Sequence, residues 1–220
     1  MPTANPGHRR SRRVPAALGA AVSILLGMVC LHNAVSGAGG PFDLSGWAIA
    51  ASGVWIGAGL ALILLLPPPA DRARSGHAVG RTAVLAVGLG VASLLGGLLL
   101  QGAPVVGPAI TGAVDLTADS AVTILVVALL AGGAEEVFFR LGLRRLLTTG
   151  PARVVVTTLV YVLATAATGN PALVLMALIL GMVCSLALEW TRWWPAPLII
   201  HAARSVTMVG IFPLVAPATG

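Results

Sequence analysis

Glu135, Glu136, Arg140, His201 and Arg204 are ionisable residues set within otherwise apolar stretches of this chain. Removing a charge from water is costly unless it is paired or has work to do, so their types and spacing come first. A carboxylate and an imidazole in a shielded pocket are the minimum set for activating water on a scissile carbonyl. The same residues also read as an ion-pair network. Glu136 and Arg140 stand four apart, in the Glu-before-Arg order that favours pairing along a helix. Arg204 lies one turn beyond His201, where it could neutralise Glu135.

The elements that must position these groups are set by composition. The chain has 220 residues, of which 57% are hydrophobic and 9% charged, and its mean hydropathy is +0.97. Soluble domains carry about 25% charged residues, so a water-facing surface is excluded. Several apolar runs reach the ~20 residues that a helix needs to cross the hydrocarbon core. The ~10-residue alternation of a membrane barrel is absent. The expected fold is therefore all-α, a polytopic transmembrane bundle of about seven helices.

Windows of about 19 residues place the spans at about 14–33, 47–66, 82–103, 120–147, 154–168, 171–188 and 196–215. Pro67-Pro68-Pro69 ends the second, since proline cannot continue a helix. The fifth is short and turns into the sixth through Gly169-Asn170-Pro171. The basic residues are all arginine, and apart from Arg140 and Arg204 they cluster before the first helix, between the second and third, at the end of the fourth and after the sixth. The intervening loops, about 34–46, 104–119 and 169–170, hold none, so the N-terminus is expected inside and the C-terminus outside. Trp47, Trp190, Trp193 and Trp194 suit interfacial anchoring. The organisation is a basic tail over about 1–13, N-terminal helices over about 14–117 and a core over about 118–215 that holds the charges.

The net charge of +6 lies in separate loops rather than along one face, which argues for the bilayer and against nucleic acid as partner. Ser11-Arg12-Arg13 with Ser36-Gly37-Ala38 resembles an export signal with a cleavage site. The apolar run between them exceeds the ~7–15 residues of a signal core, so an uncleaved first helix is expected. Cys30 and Cys184 both lie in apolar segments and read as small hydrophobes rather than a disulfide. His8, His32 and His77 fall at helix ends or in loops and read as solvated or interfacial.

Depth arithmetic links two of the charged helices. Glu135 follows the outer end of its helix by fourteen residues, roughly 21 Å at the α-helical rise. That leaves it ~9 Å from the inner boundary of a ~30 Å core. His201 lies seven residues past Trp194, or ~10 Å from the same boundary. Gly132 and Gly133 precede the acids and allow close approach of another helix.

Ala134-Glu135-Glu136-Val137-Phe138-Phe139-Arg140, followed by Arg144-Arg145-Leu146-Leu147, resembles the EExxxR motif of the CPBP family, which includes type II CAAX prenyl proteases and bacteriocin-processing intramembrane proteases. Gly169-Asn170-Pro171 and the run Trp194 to His201-Ala202 follow in the family's order. The resemblance implies that Glu135 activates water, with Glu136 orienting it, Arg140 pairing and His201 as the histidine of the last motif. It also raises zinc as a possible cofactor, with Glu135 and His201 as possible ligands. Two departures stand out: Thr165 occupies the histidine position of FxxxH, and Ser205 the asparagine position of HxxxN. Threonine cannot shuttle protons near neutral pH as imidazole does, whereas serine can partly replace asparagine as an oxyanion donor. Catalytic zinc usually has three protein ligands, and the chain offers only Glu135, Glu136 and His201 at plausible depth. Arg204 adds a permanent charge where the family motif has none; it lowers the proton affinity of a neighbouring base, or binds an anionic substrate group or oxyanion.

The function expected from this resemblance is cleavage of a peptide or membrane-protein substrate by glutamate-activated water. A pseudoprotease that binds or chaperones a membrane partner is the alternative, and a small transporter with an intramembrane charge relay is a third. Arginine without lysine, in a chain rich in Ala, Gly and Val, points to a bacterial source and so to the bacterial cytoplasmic membrane.

Overall fold

The computed structural model describes residues 6–36, 44–68, 76–115, 121–147 and 150–216, except for the side chains of 6–11 and 112–115. Among the described residues there are helices and turns but no strand. In chain order the helices are α1 (Pro6–Ser36), α2 (Leu44–Leu65), α3 (Ala78–Leu100), α4 (Val106–Asp115), α5 (Ala121–Glu135), α6 (Pro151–Ala166), α7 (Pro171–Thr191) and α8 (Pro195–Ser205). Helix α5 runs on through a π-helical turn at Glu136–Gly142 and a tighter turn at Leu143–Leu146. Helix α8 runs on through a second π-helical turn, Val206–Ile211, to Val215.

Six of these helices are long and apolar enough to cross a membrane, and α6 is a shorter apolar one. The 16 residues of α6 span only ~24 Å, in keeping with the short fifth span expected. The protein is an integral membrane protein. Large apolar side chains such as Val14, Leu25, Leu64, Val84, Leu99 and Leu163 stand exposed along the helices, which is stable only against lipid. The segment after α3, expected as a plain loop, holds the extra helix α4; its ten residues are too few to cross the bilayer. Gly37 and Ala38, Arg72 and Arg74, and the boundary near residue 117 all lie outside the described residues.

The turn between α6 and α7 has local causes. Gly169 adopts φ 67°, a conformation that costs glycine little. The Asn170 side chain accepts the Leu173 N–H at 3.1 Å, and Pro171 starts α7, a residue suited to the first helical position. At the end of the bundle expected to face inward, Glu189 gathers Arg144 at 2.7 Å, Arg153 at 3.4 Å and Arg192 at 3.7 Å. Arg144 and Arg153, expected as loop charges, are therefore buried against the bundle. Arg145 donates to the Ile63 and Leu66 carbonyls, which ties the α5 turn to the C-terminus of α2 and satisfies acceptors that the helix end leaves open. Arg81 lies over the exposed Trp190 ring at 4.6 Å.

Helices α1 and α2 pack together, as do α6 with α7, α3 with α8, and α2 with α5. Close approach depends on small residues. A Cβ at Gly27 would meet the Trp55 ring, and one at Gly59 would lie 2.9 Å from the Val137 carbonyl. Trp55, Phe138, Phe139 and Tyr161 then form one buried core, with edge-on ring contacts Trp55–Phe139 and Phe138–Phe139. This core holds the π turn of α5 in place.

Candidate active site

Glu135 is the last α-helical residue of α5, and Glu136 opens the π turn. π-Helical turns widen the ladder and recur at functional sites. Here the two adjacent acids engage different helices. The Tyr161 hydroxyl, on α6, donates to Glu135 Oε2 at 2.6 Å. Glu136 Oε1 meets His201 Nδ1, on α8, at 2.9 Å. Its other oxygen lies 3.3 Å from Arg140 Nε, and both of those side chains are fully buried. The Arg140 guanidinium stacks 4.4 Å above the Tyr161 ring, so the contacts run from Glu135 through Tyr161, Arg140 and Glu136 to His201.

A carboxylate has no hydrogen to donate, so with Glu136 ionised the hydrogen of this contact sits on His201 Nδ1, and in the neutral ring Nε2 is then the acceptor. That nitrogen lies 3.9 Å from Glu135 Oε2. One water at about 2.8 Å from each atom would subtend roughly 90° between them, which hydrogen bonding permits. The Glu135 side chain keeps 13% of its surface accessible, against 0% for Glu136. Only the first of the paired acids can therefore reach a substrate without rearrangement. Space for the imidazole comes from Gly132, where a Cβ would fall 2.7 Å from the His201 ring. Gly181 does the same for Arg140, with its Cβ position 3.0 Å from Nη2.

The similar depth read for Glu135 and His201 thus corresponds to a side-chain contact, and the Glu136–Arg140 pair forms as its spacing predicts. Three other candidate residues stand apart from the acids. Arg204 makes no ion pair with Glu135 among the described residues; its Nε is buried and unpartnered, and its side chain lines a separate cavity. The Thr165 hydroxyl donates to the Tyr161 carbonyl at 3.0 Å, the back-bond open to a mid-helix threonine, rather than to either acid. Ser205 is buried, yet no hydrogen bond links it to the acids among the described residues.

Tyr161 was the functional candidate that spacing did not single out. It is the only tyrosine in the chain, and a lone hydroxyl in an apolar helix needs a partner; that was the available signal. It occupies the aromatic position of FxxxH. The hydroxyl gained there faces the acids, while the position expected to hold imidazole does not.

A sequence comparison bears on the same segment. Residues 117–207 match the family described as type II CAAX prenyl endopeptidase, Rce1-like. Over these residues, somewhat less than half of the chain, the sequence is similar to that family. The match takes in both acids, Arg140, Tyr161, Thr165, His201, Arg204 and Ser205. Neither a curated protein nor a solved structure matches the chain.

The donor set does not fit a zinc ion of the usual catalytic kind, which takes three protein ligands. His201 Nδ1 is engaged by Glu136, leaving Nε2 and one Glu135 oxygen on a common face. The described residues hold no group of three His, Cys, Asp or Glu able to bind a metal. Cys184 is buried, with its thiol directed to the Pro197 carbonyl, and Cys30 is also unbridged. The His32 ring lies 3.1 Å from the Ala167 carbonyl, away from the acids.

Proposed function

We propose that this protein is an intramembrane endopeptidase of the CPBP family that hydrolyses a peptide or membrane-protein substrate with water activated by Glu135. The observation that supports this best is the 3.9 Å approach of Glu135 Oε2 to His201 Nε2, with Glu136 fixing the far side of the ring. Glu135 takes the proton from water as the oxygen attacks the scissile carbonyl. Glu135 then returns it to the departing amine, as general acid–base catalysis requires. The Tyr161 hydroxyl orients Glu135, and Arg140 balances the charge of Glu136. The chain's all-arginine basic set supports a bacterial cytoplasmic membrane as its location.

The test is purified protein in liposomes with a library of quenched-fluorescence peptides. Cleavage by the unmodified chain should disappear in Glu135→Ala. Cleavage unchanged by that substitution would end the assignment. A pseudoprotease reading is favoured by one observation, the Thr165 hydroxyl turned to its own backbone where the family has imidazole. Under that reading the unmodified chain is inert and Thr165→His creates activity.

A further inference from the structure

A second feature stands beside the acids and belongs to none of the steps above. A cavity of about 220 Å³ lies between α3, α4, α7 and the extension of α8, lined almost wholly by apolar residues such as Leu100, Met176 and Phe212. Two polar groups within it lack partners. Ser93 is 5% exposed and its Oγ makes no hydrogen bond. Arg204 lines the end nearest His201, and its Nε is buried without an acceptor. Arginine remains charged throughout the accessible pH range; the residue as a whole is half-buried, and a cation beside an apolar cavity without a counter-charge favours an anionic occupant. The described residues supply no carboxylate to Arg204, although Glu135 is near enough to act on it electrostatically. A cation beside an apolar cavity and next to a hydrolytic pair is suited to an anion carried by a bound apolar chain.

The length of the cavity narrows the choice of occupant. Along the α8 extension its wall runs from Arg204 to Phe212, roughly two helical turns, and it reaches Asn170 at the α6–α7 turn. By the charge bias of the loops this is the outer half of the bilayer. A chain ending in a carboxylate at Arg204 would leave that apolar length empty. A chain carrying its carboxylate on a side chain and continuing outward fills it. The volume is below the ~300 Å³ at which pockets for larger ligands begin, which suits a few apolar side chains rather than a diacyl lipid.

We propose that this cavity is the substrate subsite of the endopeptidase, and that Arg204 selects apolar peptides bearing an internal Asp or Glu side chain next to the cleaved bond. The assignment rests on the endopeptidase reading, yet its test needs no turnover. The full chain in nanodiscs is titrated with dye-labelled Ac-Leu-Leu-Glu-Leu-Val-amide and with the Gln and Lys versions of that peptide. Ac-Leu-Leu-Val with a free C-terminus is titrated alongside, probe integrity being checked by mass spectrometry. The Glu peptide should bind about ten-fold tighter than the Gln peptide, as expected for one partly desolvated charge pair. Arg204→Lys should keep that preference, Arg204→Gln should erase it, and Arg204→Glu should shift it to the Lys peptide. Equal binding of Glu and Gln peptides to the unmodified chain would overturn the proposal, and that comparison needs no variant to fold. Tighter binding of the free C-terminus would overturn it in favour of end recognition. The preference in a chain that cleaves nothing would uphold the subsite and end the endopeptidase reading; Glu135-dependent cleavage without the preference would do the reverse.

Discussion

Replacing Gly132 by alanine tests the site through one methyl group. The added Cβ would lie 2.7 Å from both Cδ2 and Nε2 of His201. Carbon contacts are comfortable from about 3.5 Å, so the ring must retreat by about 0.8 Å. It cannot retreat freely, because Nδ1 is bonded to the buried Glu136 and the residue itself is only 6% exposed. The displaced atom is the nitrogen that faces Glu135. Misplacement of about 1 Å at a reacting centre costs about 10²-fold in rate, and that is the loss expected in kcat/KM. Stability should change far less. Overpacking costs about 1–3 kcal/mol, while alanine gains about 1 kcal/mol over glycine within a helix. The two nearly offset, leaving a net loss of about 0–2 kcal/mol. Gly133→Ala is the control, since its Cβ would meet only Leu198 at 3.9 Å. Peptide cleavage and the detergent Tm of both variants are the measurements. A Gly132→Ala rate within about threefold of the unmodified chain would refute the claim that His201 Nε2 must sit where it does.

Tyr161→Phe removes the 2.6 Å bond to Glu135; the cleavage rate should fall by roughly 10²-fold, the lower end of what one positioned proton or donor contributes, with the melting profile checking that the bundle persists. Arg140→Ala leaves buried Glu136 with His201 but without its permanent counter-charge and should cost about 3 kcal/mol, whereas Glu136→Gln with Arg140→Met should cost markedly less; thermal unfolding in one detergent compares them. Chelation by 1,10-phenanthroline should leave cleavage intact, because two donors on one face fall short of the three ligands usual for catalytic zinc. Loss on chelation with recovery on added zinc would assign a metal to Glu135 and His201.

Much of the architecture was legible because membrane insertion is decided residue by residue along the chain. Apolar length sets each span. Gly169, Asn170 and Pro171 specify their turn by local backbone and capping chemistry. Even the depth shared by Glu135 and His201 follows from a constant helical rise. What needed the tertiary structure was direction around each helix axis. The π turns at Glu136–Gly142 and Val206–Ile211 alter the 3.6-residue repeat, so the face presented by the residues beyond them cannot be counted from sequence. On the regular helices α6 and α8 the rotation set by packing decides: Tyr161 reaches Glu135 while Thr165 bonds its own helix, and Arg204 lines an apolar cavity rather than pairing with the acid. Spacing determined which groups share a depth; packing against Gly59, Gly132 and Gly181 decided which of them touch.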